Sequence, residues 1–409
     1  MAKKVDLPEP IIPNDSWKVV KLGQYVKILN GYPFDSSRFT NSNENTYPLI
    51  RIRDVVRGYT ETFTDEDCPD EYKIKKGEIL IGMDGDFNIS RWKSDFGLLN
   101  QRVCKISTVS KDLDEKFLFY YLPIPLKLIN DATPSVTVKH LSSTSLQELH
   151  FPLPTLAEQQ RIVNRIESMF AKLDEAKEKA QNVVDGFETR KAAILHKAFT
   201  GELKIENEKL KEEDWEETTL GKCCKLGSGG TPSKSHPEYY ENGDIPWLKT
   251  GEIDWNDIYD AEEKITDDGV ANSSAKMFPA ESVVVAMYGM GVTRGRAAII
   301  KKPMTTNQAV CVLQPKEKLY NKFLFYYFMC NYHKIREQSV GGNQLNLSGK
   351  IIGNFPIKLP PFNFQLSIVN FLDIIIEKEN KAKQAAEAVL EQIDLLKKSI
   401  LARAFRGEL

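Results

Sequence analysis

Two stretches of this 409-residue chain, 206 positions apart, read almost alike: Lys191–Leu203 is KAAILHKAFTGEL and Lys397–Leu409 is KKSILARAFRGEL. The echo runs through the whole sequence. Phe117–Leu122 (FLFYYL) answers Phe323–Phe328 (FLFYYF), Asn100-Gln101 answers Asn307-Gln308, and Trp17…Leu22-Gly23 answers Trp215…Leu220-Gly221. Solenoid repeats have periods of roughly 20–50 residues, so this interval is far too long for one. It specifies two copies of one globular-plus-helical module, with an internal pseudo-two-fold suited to a partner that also has two similar halves.

The composition can supply two cores: 41% of residues are apolar and 10% aromatic, while 27% are charged. Net charge is −2, and no segment departs from neutrality by more than one charge. A chain like this holds nucleic acid through local patches or beside a more basic partner. No run reaches the roughly 18 apolar residues of a membrane span, and the opening MAKKVDLPEP lacks a signal-peptide core. No membrane association is expected, and the location expected is cytoplasmic. Six cysteines show no CxxC spacing; Cys104 and Cys311 fall in matching apolar runs (RVCKI, AVCVL) that read as strand core. The histidines are scattered, so no metal site is expected.

The segments follow from turn signals and periodicity. Residues 1–154 form a first module of short strand-like runs (Glu78–Ile81, Arg102–Ile106), turns (Asn30-Gly31, Lys76-Gly77, Asp84-Gly85) and a helical run (Glu115–Leu122). It closes on Phe151-Pro152-Leu153-Pro154. Residues 155–203 read as one long helix with a heptad seam of Ile162, Ile166, Met169, Leu173, Ala176, Ala180, Val183, Phe187, Ile194 and Ala198, interrupted by Arg190. Thr155 and Glu158 suit a capping box, and Gly201 suits the end. A charged linker covers 204–214, a second module 215–360, and a second helix 361–409. The second seam reads Ile368, Leu372, Ile375, Ala382, Ala386, Val389, Ile393, Leu396, Ile400 and Ala404, with Glu379 breaking it.

Each helix is about 65 Å long at about 1.5 Å per residue. The end of the first and the start of the second both lie close in sequence to the second module, which makes the pair antiparallel. Arg190 and Glu379 then fall towards the same end and could pair. The expected class is α+β: two mixed α/β domains separated by a pair of long antiparallel coiled-coil helices. One turn of B-DNA is about 34 Å, so domains at either end of such a spacer could reach two half-sites.

Enzyme motifs are absent: no Walker A sequence, nucleophile elbow, HExxH or methyltransferase tetrapeptide occurs. The run Gly289–Arg296 (GMGVTRGR) follows a strand-like Ser282–Met287 but leads into another strand-like run, Ala297–Ile300. A nucleotide loop needs a helix there. A flexible hairpin tip carrying Thr293, Arg294 and Arg296 toward nucleic acid, with Tyr288 at its base, is one reading; a plain surface hairpin is the other. The first module's counterpart is Gly82–Trp92, with Asp86, Asn88 and Arg91. Gly227–Lys234 offers bare amides and polar groups at Ser228, Gly229, Gly230, Thr231, Ser233 and Lys234, for phosphate contact or as an ordinary loop. Asn100, Gln101, Asn307 and Gln308 could supply amide forks to adenine edges or tie loops together. Tyr32, Arg51, Arg53, Lys139 and Lys249 complete the candidate DNA contacts, with Asn343 and Gln344, whose stretch reads equally as turn chemistry.

Two variable globular domains, each followed by a heptad helix, carry further shared marks. A proline step leads into Glu158-Gln159-Gln160-Arg161-Ile162-Val163 and again into Phe364-Gln365-Leu366-Ser367-Ile368-Val369. Both helices end in AFxGEL, and GGTPS stands at Gly229–Ser233. This pattern resembles the DNA-specificity subunits of type I restriction-modification systems over essentially the whole chain. The first module lacks GGTPS, having Asn30–Asp35 (NGYPFD) there, and Asn363 replaces the acidic residue of the second proline step. The resemblance implies two target recognition domains that read an asymmetric bipartite site in double-stranded DNA. It implies helices that fix the spacer and dock two methyltransferase subunits, with Ile162, Ile166, Leu173, Phe187, Ile194, Ile368, Leu372, Ile393, Leu396 and Ile400 along them. No cofactor is expected in this chain: S-adenosylmethionine belongs to the methyltransferase partner, and ATP and Mg to restriction subunits. A coiled-coil adaptor binding proteins, and a subunit serving a modification-only methyltransferase, stay open as alternatives.

Overall fold

A computed structural model describes residues 7–8, 10, 17–133, 139–203, 215–289, 291–341 and 345–409. The linker 204–214 and the candidates Asn343 and Gln344 lie outside the described residues. The mixed α and β composition expected from the sequence is what forms, repeated in two modules. The chain divides into two compact units, one of residues 1–181 with 388–409, the other of residues 182–387.

In the first unit the strand Lys18–Lys21 pairs antiparallel with His150–Leu153, so the module's first and last strands lie side by side. This explains the proline step: Pro152 faces Val19 in a two-stranded pair, where a missing N–H is tolerated. A four-stranded antiparallel sheet follows in the order Val26–Asn30, Val103–Thr108, Ile79–Gly82 and Ile89–Arg91. Every residue of Ile79–Gly82 is buried. A second sheet holds one parallel pair, Tyr47–Ile50 beside Phe96–Leu99. The helix Glu115–Tyr121 starts where the Asp114 carboxylate accepts the Phe117 N–H at 2.9 Å, satisfying an end-of-helix donor. Its Phe117 and Leu118 are fully buried.

The second unit repeats this plan. Glu216–Thr219 pairs with Pro356–Leu359. The main sheet runs Cys224–Ser228, Val310–Pro315, Val283–Ala286 and Ala297–Ile300, extended by a parallel strand, Asp257–Ile258. Ile245–Leu248 and Thr305–Thr306 form the parallel pair, and Asn321–Cys330 is the aromatic helix.

Each module's core is completed by two helix segments. In the first unit these are Ile162, Val163 and Ile166 from the start of one helix, and Ile400, Ala404 and Phe405 from the end of the other. The Phe405 ring lies 5.3 Å from Phe117 and 5.2 Å from Tyr121. In the second unit the segments are Phe364, Ile368, Val369 and Leu372, with Leu195 and Ala198. Phe199 there lies 5.0 Å from Phe323 and 5.6 Å from Tyr327. The repeated AFxGEL ends are therefore aromatic plugs seated on the FLFYY helices. A buried Phe is worth roughly 1.5–3 kcal/mol.

The helices pair antiparallel within each unit. In the first, Arg161 donates to the Leu409 carbonyl at 3.2 Å while Asp174 meets Lys397 at 2.5 Å, so the contacts advance on one helix as they retreat on the other. In the second, Phe187 faces Lys383 and Arg190 meets Glu379 at 2.8 Å, the ion pair expected across the seam.

Three details differ from the sequence reading. The first long helix is two, Leu156–Asp185 and Phe187–Phe199, divided at Gly186. Glycine is a poor helix former, and its bare Cα leaves room for the Arg190 guanidinium, which donates to the Val183 carbonyl at 2.9 Å. The capping box is half made: Thr155 accepts the Glu158 N–H at 3.4 Å, but the Glu158 carboxylate turns to Arg161 at 2.8 Å. Finally, the second helix Phe362–Ala404 buries Ala386, Ile393, Ile400 and Ala404, whereas Val389 and Leu396 are exposed. The alternating seam places are taken by Glu379, Lys383, Leu390 and Lys397. Lys383 and Lys397 lie over the rings of Phe187 and Phe170, 4.8 and 5.1 Å from their centroids, which lets their stems pack while the charge stays favourable. Of the ten apolar helix positions named above, only Leu396 is exposed; Leu173 and Ile194 are half-buried and the others are spent inside the chain.

Candidate nucleic-acid interface

In the first module four loops meet at one edge of the main sheet. Met83 N–H donates to the Arg102 carbonyl at 2.8 Å, and the Met83 carbonyl accepts from Leu141 N–H at 2.7 Å. Gly85 N–H donates to the Lys139 carbonyl at 3.0 Å, and Gln101 N–H to the Tyr32 carbonyl at 2.9 Å. These bonds gather Tyr32, Asn100, Gln101, Lys139 and the turn bearing Asp86 and Asn88. Phe87, in the left-handed region at φ 50° and buried, anchors that turn while Asp86 and Asn88 stay exposed. Tyr32 packs edge-on to Phe34 and Tyr72. Asn100 is buried, with its Oδ1 unpartnered among the described residues. Arg51 follows the parallel pair and reaches over Phe39.

The second module builds the same face with other side chains. Met287 N–H donates to the Ala309 carbonyl at 2.9 Å, and Leu347 N–H donates to the Met287 carbonyl at 3.0 Å. Met287 thus stands where Met83 stands, and Asn307-Gln308 where Asn100-Gln101 stand. Thr231 donates to Gln308. The glycines of GGTPS are required by crowding: a Cβ at Gly229 would lie 1.8 Å from the Thr306 carbonyl oxygen, and one at Gly230 would lie 2.0 Å from Ser274 Oγ. The first module uses Gly31 for the same approach, where a Cβ would meet the Asn100 carbonyl oxygen at 2.0 Å. Ser228 ends its strand opposite Cys311. Ser233 and Lys234 are exposed, with Ser233 bonded to Ser235 at 2.7 Å.

Several candidate cations are already matched within the chain. Arg91 meets Glu115 and the Gly77 carbonyl, both at 2.8 Å, and covers Phe119. Arg53 donates to Thr62 Oγ1 at 2.9 Å. Lys249 meets Glu263 at 2.7 Å, a bond that raises its pKa above the usual lysine value. Arg296 meets Asp254 at 2.5 Å, and Arg294 donates to the Leu345 carbonyl at 2.5 Å. In the glycine hairpin Tyr288 is exposed at the base, and Thr293 turns its carbonyl to Arg296 N–H at 3.1 Å. Asn307 Oδ1 caps Ala309 N–H at 3.1 Å, the loop-tying alternative for that residue.

Asp84, Arg102 and His140 stand beside these candidates on the same face, though the sequence reading does not number them among the DNA contacts. Asp84 lies 2.6 Å from His140 Nδ1 and 3.6 Å from Arg102 Nε, so one carboxylate orients two exposed groups on the same face. Arg102 holds φ 75°, uncommon outside glycine and worth attention at a candidate site. Its only signal was the Asn-Gln pair before it. Among the described residues there is no cluster that could hold a metal ion, and no helix is long and apolar enough to cross a membrane.

The family model for the type I restriction modification DNA specificity domain matches twice, over residues 14–184 and 212–392. The chain belongs to the type I restriction-modification DNA specificity family. The two matches fall on the two modules and much of the helix after each. Among relatives, the specificity subunit of the type I restriction enzyme EcoBI from Escherichia coli is 31% identical, over 97% of this chain and 87% of that protein. The MjaVIII specificity subunit from Methanocaldococcus jannaschii is 24% identical, over 97% and 94%. In fold, the chain is similar to the HsdS subunit from Thermoanaerobacter tengcongensis, with a TM-score of 0.65 at 20% identity, covering 97% of this chain and 98% of that one. As a type I specificity subunit, the protein serves DNA sequence recognition in a restriction-modification system.

Proposed function

We propose that this specificity subunit reads a bipartite site in double-stranded DNA, one half with each module, and that the paired helices set the spacer. One observation supports this above others. The framework bonds around Met83 recur around Met287, while the side chains presented differ: Arg102 and His140 on one face, Thr231 and Gln308 on the other. A shared frame with different displayed groups suits two different half-sites.

Two methyltransferase subunits would dock along the helices, on residues that the chain itself leaves open. Ile374 is 56%, Leu395 65% and Leu396 47% exposed, whereas Ile162, Ile166, Phe187, Ile368, Leu372, Ile393 and Ile400 are not available to a partner. Catalysis lies with those partners, which bring S-adenosylmethionine, and with restriction subunits that use ATP and Mg; the chain contributes recognition and works in the cytoplasm. Its net charge of −2 fits a subunit whose partners supply much of the phosphate clamp. The test is methylation mapping of the host genome with and without the gene. Loss of N6-methyladenine at one bipartite motif is expected. Unchanged methylation, with an active methyltransferase partner present, would overturn the reading.

A further inference from the structure

The interval that carries Phe117 onto Phe323 also carries Asn130 onto Arg336, and these two unlike residues do the same thing. Asn130 sits near the end of the helix Pro123–Ala132, and Arg336 near the end of the helix Tyr332–Glu337. Each reaches the tip of the hairpin that leaves the central strand of its own module. Asn130 Nδ2 donates to the Gly85 carbonyl, while the Asn130 carbonyl and Oδ1 receive Lys139 Nζ at 2.7 and 3.0 Å. Arg336 donates through Nη2 to the Gly291 carbonyl at 2.7 Å and through Nη1 to the Arg294 carbonyl at 2.5 Å. Its guanidinium lies 5.0 Å from the Tyr332 ring centroid, and the Tyr332 hydroxyl donates to the Val292 carbonyl.

The tips need such a donor. Gly85 stands at φ 76°, Gly291 at 60° and Gly295 at 87°, in a region where glycine moves freely and a turn has many near-equal conformations. A planar fork spanning two carbonyls three residues apart selects among them, and a single amide does so for the shorter tip. Outward from the pinned carbonyls project the tip side chains, Asp86 and Asn88 in one module, Val292 in the other. A phosphate-binding role suits Arg336 poorly, because both terminal nitrogens are spent on carbonyls and its ring partner shields it.

We propose that this repeat position is the positioning residue of each reading hairpin: Asn130 and Arg336 fix the tip conformation, and through it the discrimination of one half-site each, without contacting DNA. The inference rests on the proposed DNA-reading role of the modules.

The experiment selects sequences from a random duplex library with the full chain and with N130D, R336K and R336M, each assembled with the methyltransferase subunits, and measures binding to the selected duplex against salt. Asn130→Asp keeps the shape but turns the donor into an acceptor; Arg336→Lys keeps the charge but loses the fork. The wild-type chain is expected to select a bipartite motif. N130D should flatten one half by roughly ten-fold in matched-to-mismatched ratio, and both Arg336 variants should flatten the other half, with the salt slope unchanged. R336K should rescue nothing. Arg336 lies at the edge of a surface helix, so its variants test the proposal should N130D fail to fold. A salt slope that falls by about one, with both halves still read, would make Arg336 a phosphate contact and overturn the proposal. Unaltered halves and slope would overturn it as well. A wild-type assembly that selects no motif would sink the DNA-reading role itself, and the inference with it.

Discussion

Replacing Gln365 by alanine should loosen the second module from the helix that follows it. The side chain is fully buried at the helix start. Its Oε1 accepts the Tyr320 N–H at 2.9 Å, and its Nε2 donates to the Lys318 and Pro360 carbonyls, both at 2.9 Å. Alanine leaves one N–H and two carbonyls buried without that partner, at about 1–3 kcal/mol each when water cannot reach them. Partial relief brings the expected loss to about 3–5 kcal/mol, a large share of a typical domain's stability. Urea unfolding followed by tryptophan fluorescence reads the joint, since buried Trp215 packs 6.3 Å from Phe364 beside Gln365. The midpoint should fall by roughly 1–2 M. Gln159 makes the same three bonds, to Asp114 N–H at 2.8 Å and to the Asp112 and Pro154 carbonyls at 2.8 and 2.9 Å, so Gln159→Ala should cost about as much in the first unit. A loss below about 1 kcal/mol in both variants would refute the clamp reasoning.

Further outcomes follow from the same contacts. Phe405→Ala should destabilise the first unit by about 3–5 kcal/mol and the half-buried Phe199→Ala the second by less; melts that match the wild type would remove the aromatic-plug role. A double-mutant cycle on Arg190 and Glu379, 39% and 24% exposed, should give a coupling no larger than about 1 kcal/mol; several kcal/mol would mean that the pair is far drier than it looks. Gly229→Ala must push a strand away from Thr306 and should cost about 1–3 kcal/mol, and an unchanged melting temperature would contradict that close approach. Burial pushes the Cys104 and Cys311 thiols up to about 12, so at pH 8 neither should react with a maleimide until the chain is unfolded; labelling at the rate of a free thiol would place them at the surface.

The parts of the fold legible in the sequence were those written in local pattern. The echo of KAAILHKAFTGEL marks the duplication, and the heptads of Ile162 to Ala198 mark the inward-facing seam, which runs on across two helix segments rather than one. The second seam is not legible from apolar residues alone, because two of its places are held by Lys383 and Lys397, whose stems pack against rings that a sequence does not bring together. Gly186 falls between the seam residues Val183 and Phe187, which the heptad pattern spans without a break, and Arg190 folding back across it marks the division. The candidate interface was harder. Asn-Gln pairs and glycine runs marked the right loops, yet Arg294 and Arg91 read as free charges until their long-range partners, the Leu345 carbonyl and Glu115, stood beside them. Such partners lie dozens of residues away, and no local periodicity records them.

The first unit takes its last core residues, Ile400, Ala404 and Phe405, from the far end of the chain, while the second unit is one unbroken stretch, residues 182–387. Synthesis therefore inverts the usual order. The module made first must wait for roughly 200 further residues, about 10–40 s at ribosomal rates of about 5–20 residues per second, before its core can close. Through that interval Phe117 and Tyr121 lack the ring of Phe405 that packs on them in the finished protein. A nascent chain that stalls in the second long helix would hold a finished second module and an open first one, so proteolysis should mark the older half of the molecule as the younger to mature.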